Sequence, residues 1–455
     1  MATREVVDEF QVRLELRAYA PLTRTGKGFY ILVAVLLAVI AFGAYAYIYQ
    51  YDNGLIVTGL RDRMMWGLYI SLFVFFIGAS MGGTFVSAIL RVTNAPWRFP
   101  IVRSAELVTV AALLMAGMFV LFDIGRPDRV YHILIYGHWT SPLVWDTYGL
   151  ITYLVGSLIY LYLAVVPDMA RCRDRLGSTT SRPMRWFFDT FANRWQGTEQ
   201  QKAALASGLK VMTILIIPVA VMMHTVTSWI FAMTLREPWD SSLFGIYFVG
   251  GAIYSGVGIV IMVAAILRKV YHLEEFLTPS HFRRLGYLLG AFAAVMLFFN
   301  LSEYVTDAYK LEGDLSVHLE SIFFGELAIQ YWSYLVAGTM VPLAIVMLPL
   351  SKKVWWVIVA AALANIGMLL ERYIIVVGGL HIPLNPYEIP HYSPTWVEYS
   401  LMAAGFAGFI LAVTLALKIV PGIPVSEMLE HREQQPPMPE PPAVPQRSNF
   451  QWGRQ

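Results

Sequence analysis

Ten long runs of apolar residues dominate this sequence and leave it few possible folds. Each run has about the 20 residues that a helix needs to cross about 30 Å of hydrocarbon. A backbone in lipid must satisfy its own hydrogen bonds, so each run is predicted to be a transmembrane helix. Of 455 residues, 57% are hydrophobic and 14% charged, against about 25% charged in soluble domains. The runs are 28–49, 64–90, 104–123, 145–166, 208–235, 243–267, 285–308, 324–350, 354–377 and 397–420.

The positive charges predict the orientation of these helices. The N-terminal segment, the even-numbered loops and the C-terminal stretch from Lys418 onward hold 25 of the 33 Lys and Arg residues, and the odd-numbered loops hold six. Lys210 and Arg372 lie inside the runs. The positive-inside rule therefore predicts that both termini face the cytoplasm, in a bacterial inner membrane. The polar N-terminal segment lacks the features of a secretory signal peptide.

A weak internal repeat predicts how the helices are grouped. Gly67-Leu68-Tyr69 is followed by Gly78, and Gly245-Ile246-Tyr247 is followed at the same spacing by Gly256. The repeat predicts two related four-helix bundles, helices two to five and six to nine, flanked by helices one and ten. Chance similarity is the alternative. Small residues such as Gly82 are expected to let helix two approach a neighbour closely.

These bundles divide the chain into six predicted segments. The C-terminal one is dense in proline, which cannot build a core, so it is expected to be an extended arm. The segments are a cytoplasmic N-terminal segment (1–27), the first helix and outer loop (28–63), the first bundle (64–235), the second bundle (236–377), an outer loop with helix ten (378–420) and a cytoplasmic proline-rich tail (421–455).

Ionisable side chains inside bilayer helices are costly and usually functional. In the predicted orientation, seven of them gather near the outer surface: Asp123, Asp146, Asp240, Glu303, Asp307, Glu326 and Arg372. A position at an ordinary, water-facing helix end is enough to explain the charges of Asp240 and Asp307. It explains the charge of Arg372 poorly, because Arg372 follows an uninterrupted apolar stretch. Three more groups lie deeper, or nearer the other surface: Glu106, His224 and Glu371. These three either pass protons or serve as polar packing between helices.

One outer segment, residues 137–150 (GHWTSPLVWDTYGL), combines an imidazole and a carboxylate with aromatic residues. A site that oxidises a quinol needs a proton acceptor, a group that orients the acceptor, and an apolar slot for the ring. His138 and Asp146 fit the first two requirements, and Trp139, Trp145 and Tyr148 fit the third. The alternative is an interfacial belt of aromatic residues with a solvated histidine.

Redox centres of its own are not expected in this chain. Cys172 is the single cysteine, which excludes a cysteine-held iron–sulfur cluster and disulfides. Of nine histidines, only His224 lies well inside a predicted helix, so a pair of facing haem ligands is not predicted. We expect no haem, no iron–sulfur cluster, no metal and no nucleic acid on this chain. The basic, aromatic fourth loop, about 167–207, is predicted to lie on membrane lipid, with a partner-docking site as the alternative.

The motif LFDIGRP at Leu121–Pro127, together with Ser141–Tyr148, resembles the NrfD/PsrC family. Its members are the quinone-reactive membrane subunits of iron–sulfur and molybdopterin respiratory enzymes. The resemblance covers both bundles, about 64–377. The ten-helix arrangement looks most like ActC, a membrane subunit of alternative complex III, and its sister ActF is close in architecture.

The resemblance implies a function as well as a fold. A quinol, expected to be menaquinone, would bind near the periplasmic face of the first bundle and reduce an iron–sulfur subunit, which passes electrons to c-type haem subunits or a soluble acceptor in a respiratory or photosynthetic chain. A second NrfD-like subunit would accompany it. The matched quinol residues are His138 and Asp146, which would be catalytic, with Asp240, Arg372, Trp139 and Tyr148. The matched proton-transfer residues are Glu106, Asp123, His224 and Glu371.

Two other functions remain open from the sequence. An ActF-like subunit would conduct protons or serve structurally without binding quinol, which quinone-binding measurements would reveal. A secondary transporter also has related halves and intramembrane charges, but it would purify alone, without redox subunits. The second bundle has no histidine in its counterpart of the His138 segment, so one quinol site is expected, in the first bundle.

Overall fold

The computed structural model describes residues 2–177, 180–234, 236, 238–311, 315–382 and 389–433, the side chains from residue 9 onward. Across these residues the chain is helical and has no β-strand, only an isolated bridge between Arg61 and Met64. The helices are α1 (Ala2–Thr23), α2 (Lys27–Asn53), α3 (Leu68–Val92), α4 (Phe99–Asp123), α5 (His132–Ile135), α6 (Pro142–Leu176), α7 (Arg182–Phe191), α8 (Glu199–Ala232), α9 (Phe244–Val270), α10 (Pro279–Lys310), α11 (Leu315–Phe323), α12 (Ala328–Trp332), α13 (Val341–Met347), α14 (Val354–Tyr373), α15 (Gly379–His381), α16 (Trp396–Ala416) and α17 (Val425–Glu433).

Ten helical segments in the described part of the chain are long and apolar enough to span a membrane, which confirms the predicted number. They are α2, α3, α4 with its preceding turn from Pro96, α6, α8, α9, α10, Ala328–Met347, Val354–His381 and α16. The third span begins earlier than predicted because Arg103, expected in the preceding loop, lies inside the helix and pairs with Glu106 and Asp168 in a buried ionic network. The chain is a multi-pass membrane protein.

Helix α3 is the centre of the molecule. Its most apolar stretch is 89% buried, against 17% for α2 and α8. α3 packs against α4, α8, α9 and α14. Small residues allow the closest of these contacts, because a Cβ on Gly82 would collide with the backbone of Gly256 in α9. Such close approach is how helices associate in lipid, and it was predicted for Gly82.

The other helices surround α3 in two groups. α4 and α8 pack against α6, and α9 packs against both α10 and α14, which in turn contact α13. α2 and α16 pack on each other, and α16 packs on α4. Successive spans run in opposite directions. One end of the molecule therefore holds the last residues of α4, α8, α10 and α14 and the first residues of α3, α6, α9 and α16. We call this the far end, and the opposite one, which carries α1 and α17, the termini end.

Two π-helical turns interrupt the second group, at Ser333–Met340 and Ile374–Gly378. Wide turns of this kind leave backbone carbonyls without their usual partners and often occur at functional sites. Side chains of other helices reach these carbonyls: Tyr254 donates to Gly338 at 2.7 Å, and Trp239 donates to Ile375 at 2.7 Å.

The chain after residue 420 folds back onto the bundle. α17 packs against α4 and α6, where the backbone N–H of Ser426 donates to Asp168 at 2.8 Å. The expectation of an extended arm is therefore wrong for residues 425–433, whose sequence still has helix-forming and apolar residues to bury. The proline-rich part of the predicted tail, 434–455, lies outside the described residues.

Candidate functional site at the far end

Asp146 is a buried carboxylate at the far end of the first group of helices. It lies in the second turn of α6 with 5% of its surface exposed. The hydroxyl of Thr227 on α8 donates to its Oδ1 at 2.6 Å. A buried carboxylate with a single hydroxyl partner is a costly arrangement that marks a functional group.

Aromatic side chains lie outside this carboxylate. Trp139 is 69% exposed, and its ring stacks on Tyr148 with centroids 5.2 Å apart and an interplanar angle of 23°. The indole of Trp145 donates to the carbonyl of Trp139 and lies edge-on to Trp229 of α8, 6.4 Å between centroids. Because the outer rings are open to the surroundings, a flat ring can stack against them.

His138 precedes α6 in the irregular segment between α5 and α6, and its side chain is exposed. Its carbonyl accepts from the N–H of Ser141 at 3.0 Å, which fixes the backbone before the helix starts. Among the described residues no hydrogen bond or ion pair joins the His138 ring to Asp146. The segment thus places the imidazole at the surface and the carboxylate behind it, with the aromatic rings nearby.

His224 lies one turn deeper than Thr227 on the same face of α8 and is 1% exposed. Its Nδ1 lies 2.8 Å from the carbonyl of Ala220, and its Nε2 lies 2.9 Å from the carbonyl of Ile77 on α3. A neutral imidazole donates from only one ring nitrogen. A proton on this ring therefore has an acceptor on either side, on α8 or on α3.

Arg372 and Glu371 form a buried ion pair on α14, each 2% exposed, with Nη1 and Oε2 3.3 Å apart. The guanidinium lies 4.7 Å from the centre of the Phe248 ring and interacts electrostatically with His224. Gly251 leaves space for it, because a Cβ there would lie 2.5 Å from Nη2. The structure therefore places Arg372 between the two groups of helices, on the His224 side.

Asp240 is exposed and belongs to the second group of helices. It interacts with Glu303 and Asp307 of α10, and Ser241 donates to Glu303 at 2.8 Å. Glu303 and Asp307 line a cavity of about 40 Å³, together with Trp239, Tyr247, Asn300, Tyr304 and His318. That volume holds about three waters and is too small for a quinol ring.

The predicted cluster of seven ionisable groups is thus several separate groups at one end. Asp123 is half-buried at the end of α4, with no hydrogen-bond partner on Oδ1 in the described part of the chain, and it interacts with Glu398. Glu326 pairs with His391 at 2.7 Å. Neither is brought into contact with Asp146.

Glu398 is a fully buried carboxylate that was not predicted from the sequence. It accepts from the N–H groups of Gly59 at 2.6 Å and Thr395 at 2.9 Å, and from the hydroxyl of Tyr392. Its signal was a capping box, because Thr395 and Glu398 are three residues apart before an apolar run. These contacts, with a longer one from the Thr395 hydroxyl at 3.4 Å, join the loop that follows α2 to the start of α16.

Glu106 lies at the termini end, in a buried ionic network that was not predicted either. Arg103 contacts Asp168 at 2.7 Å and Glu106 at 3.3 Å, while Arg91 contacts Glu106 at 3.3 Å and Glu427 of α17 at 3.1 Å. The network holds three carboxylates and two guanidinium groups. Arg91 and Arg103 were predicted to lie in a loop, so their burial was not anticipated.

Comparison with known proteins adds to this geometry. A sequence profile of the family described as "Polysulphide reductase, NrfD" matches residues 56–383, more than half of the chain. The chain belongs to the NrfD family. The match includes both groups of helices and every residue of the predicted site.

Relatives of this chain are membrane subunits of reductases. A putative membrane subunit of dimethyl sulfoxide reductase from Halobacterium salinarum is 31% identical over 357 residues, 78% of this chain and 77% of that protein. The "Hdr-like menaquinol oxidoreductase integral membrane subunit" from Archaeoglobus fulgidus is 25% identical, covering 88% and 96%. The "Menaquinone reductase, integral membrane subunit" from Nitratidesulfovibrio vulgaris is 22% identical, covering 84% and 89%.

Proposed function

We propose that this chain is the quinol-oxidising membrane subunit of a larger electron-transfer complex of the alternative complex III type. The observation that carries the proposal is the buried Asp146–Thr227 pair behind the exposed segment of His138, Trp139 and Tyr148. Two relatives are named for menaquinol or menaquinone, which supports menaquinol as the substrate. The chain acts as part of an oxidoreductase and is not an enzyme alone.

The chemistry follows from the positions of these groups. The quinol ring stacks beside Trp139 and Tyr148, and one hydroxyl gives its proton to His138. Asp146 takes part in the second proton transfer, with Thr227 orienting its carboxylate. Each quinol loses two protons and two electrons and becomes a quinone. The electrons would pass to an iron–sulfur cluster held by a periplasmic partner subunit, and from there to c-type haem subunits.

A proton route through the first group of helices extends this proposal. Thr227 and His224 share one face of α8, and His224 faces α3 and interacts with Arg372. Glu371 continues this series into the second group of helices, where it interacts with Tyr247. Asp123 and Glu106 are separate from this series, one at each end of α4. Both termini are proposed to face the cytoplasm, so protons released at Asp146 leave on the periplasmic side.

A second candidate function is supported by the cavity near Glu303. Its volume admits water only, and Asp307, His318 and Tyr304 line it. Such a chamber suits an ActF-like subunit that conducts protons without binding quinol. In that case the His138 segment would be a surface of the complex and would carry no chemistry.

The experiment that separates these functions replaces one histidine in the assembled complex. His138→Ala is expected to lower quinol:acceptor activity about 100-fold or more, because it removes the proton acceptor. His132→Ala is the matched control, since His132 lies in α5, a few residues before the His138 segment, and contacts Tyr131 and Tyr136 instead. Normal activity of an intact His138→Ala complex would remove His138 from the mechanism. If activity is lost, loss of quinone binding by an intact complex would show that the cause is the quinol site and not a defect in assembly.

A further inference from the structure

A second cavity, far larger than the first, lies toward the termini end. Its volume is about 1,620 Å³, and it is bounded by α1, α2, α3, α9 and α16. Most of the residues that line it are apolar, with side chains such as Leu32, Phe75, Val263, Phe409 and Ile410. A cavity of this size with a mostly apolar lining is suited to a large apolar molecule.

Helix α1 covers one side of this cavity. Leu14 and Ala18 are buried against the bundle, while Val12 is 54% and Leu16 is 65% exposed, and both of these line the cavity. α1 therefore has apolar side chains on two faces, one already covered by protein and one without a cover. A helix that lies at a membrane surface with an apolar face inward contacts acyl chains.

The rim of the cavity is basic. Five cations line it, Arg13, Arg17, Arg24, Arg175 and Lys418, against two carboxylates, Glu15 and Glu275. The carboxylates pair with Arg175 and Arg13, each at 3.6 Å. Arg17 and Arg24 are exposed and form no ion pair among the residues that the structure describes. The rim therefore carries positive charge that the residues described by the structure do not neutralise.

Lys418 fixes this rim in place. Its Nζ donates to the carbonyls of Pro21 at 2.7 Å and Arg24 at 2.8 Å, and it lies 4.7 Å from the centre of the Phe29 ring. These contacts join the end of α1 and the start of α2 to the end of α16. Arg24 is thereby held at the mouth of the apolar cavity.

We propose that this cavity binds an anionic phospholipid, with its headgroup phosphate at Arg17 and Arg24 and its acyl chains along α9 and α16. Charge complementarity carries the choice of occupant, because an apolar interior with a cationic mouth matches an amphiphile with a negative head. A quinone or a transmembrane helix would fill the interior but bring no anion to the mouth. A zwitterionic lipid would bring a phosphate together with an ammonium group and so add no net negative charge. The lipid would fasten α1 and the flanking helices to the second group of helices.

One buried group provides a way to detect a quinone instead. Asn365 of α14 lines the cavity with 7% exposure, and its Oδ1 has no hydrogen-bond partner among the described residues. A quinol hydroxyl could donate to this oxygen, whereas an acyl chain could not. Asn365→Leu should therefore release a quinone that is bound in its reduced, quinol form but leave a phospholipid bound.

The test uses the intact complex, purified in mild detergent and analysed by native mass spectrometry with lipid extraction. We expect one phosphatidylglycerol- or cardiolipin-class lipid per chain. The double variant Arg17→Gln/Arg24→Gln should bind it about 25-fold more weakly, from about 1 kcal/mol per basic residue. The matched control is Arg182→Gln/Arg185→Gln on α7, which removes two exposed charges at the same end but outside the cavity and should retain the lipid.

A second measurement identifies the ligand class. The delipidated complex is returned to nanodiscs of palmitoyl-oleoyl phosphatidylglycerol or phosphatidylcholine, and its Tm is measured. Phosphatidylglycerol should raise the Tm of the parent and of the α7 control, but not of the Arg17/Arg24 variant. Three results would each overturn the proposal. The first is equal stabilisation by phosphatidylcholine or by millimolar inorganic phosphate. The others are unchanged lipid retention by the Arg17/Arg24 variant, and a bound quinol that is lost on Asn365→Leu.

Discussion

The same two residues, Trp followed by Asp, occur at the far end of both groups of helices, and the structure uses them in opposite ways. In the first group Asp146 is buried and Trp145 is half-buried. In the second group Trp239 is 2% exposed and Asp240 is exposed. The first pair presents a carboxylate to the interior, and the second pair presents an indole.

The position of each pair relative to its helix explains the difference. Trp145 and Asp146 lie inside α6, which begins at Pro142, so the helix directs Asp146 toward Thr227 on α8. Trp239 and Asp240 lie before α9, which begins at Phe244, and Trp239 instead donates to the carbonyl of Ile375. Similar sequence thus provides a titratable group in one half of the molecule and a structural anchor in the other.

The largest effect that separates the two halves is expected from Asp→Asn substitutions. Asp146→Asn should lower the kcat of quinol oxidation about 100- to 10,000-fold, since it removes a proton-transfer group without changing its shape. Asp240→Asn, the matched control, should stay within about two-fold because the side chain is exposed. Steady-state assays of the purified complexes measure both. Equal losses in the two variants would mean that the halves do not differ in this way.

The contact between the central helix α3 and α9 of the second group should be the next most sensitive feature. Gly82→Leu puts a side chain into the backbone of Gly256 and should destabilise the protein by about 3 kcal/mol or more, at or beyond the upper end of overpacking effects. Gly117→Leu is the control, because a Cβ at Gly117 meets nothing within 4 Å. The Tm of the detergent-solubilised complex reports the difference. A Gly82→Leu complex as stable as the control would contradict the close packing.

The buried His318 should make the stability of the protein depend on pH. Burial lowers the pKa of His318 in α11 to about 4, below the 6.5 expected in an unfolded chain. The unfolded state then binds more protons between these values, so the free energy of unfolding falls as pH drops from about 6.5 to 4, by up to about 3 kcal/mol. His318→Gln should flatten this dependence of Tm on pH. Substitution of the exposed His138 by Gln should leave it in place.

The smallest expected effect concerns the two indoles. Trp239→Phe leaves the carbonyl of Ile375 without its donor and should cost about 1 to 2 kcal/mol. Trp145→Phe removes the donor of the Trp139 carbonyl, in an exposed segment where water can replace it, and should cost less than about 0.5 kcal/mol. Thermal unfolding of the two variants compares them directly. A larger loss from Trp145→Phe would reverse the assignment of anchor and exposed residue.

Much of the fold could be predicted because the membrane imposes it. Hydropathy alone gave ten spans, and the small residues of α3 indicated close packing at Gly82. The start of the third span and the position of α17 were not predicted. Both depend on the network of Arg91, Arg103 and Glu427, whose members are separated in sequence and look like loop charges until they pair.

The candidate site could be predicted only in part, for a similar reason. The sequence indicated His138 and Asp146 together, but the structure pairs Asp146 with Thr227, 81 residues further along the chain. It also places Asp240 before α9, next to Ser241, whose hydroxyl donates to Glu303 of α10. Burial, which distinguishes Asp146 from Asp240, is decided by helix packing and is not visible in a dipeptide. The roles of all these residues stay predictions.

The central claim is that quinol binds at the far end of the first group of helices. The most direct measurement is photolabelling of the intact complex with a photoreactive menaquinone analogue, followed by mass-spectrometric mapping of the adducts. Our account predicts adducts in residues 132–148 and near Trp229, reduced by excess menaquinol and by Asp146→Asn. Adducts confined to α9 and α10, or to another subunit with none in this chain, would contradict it.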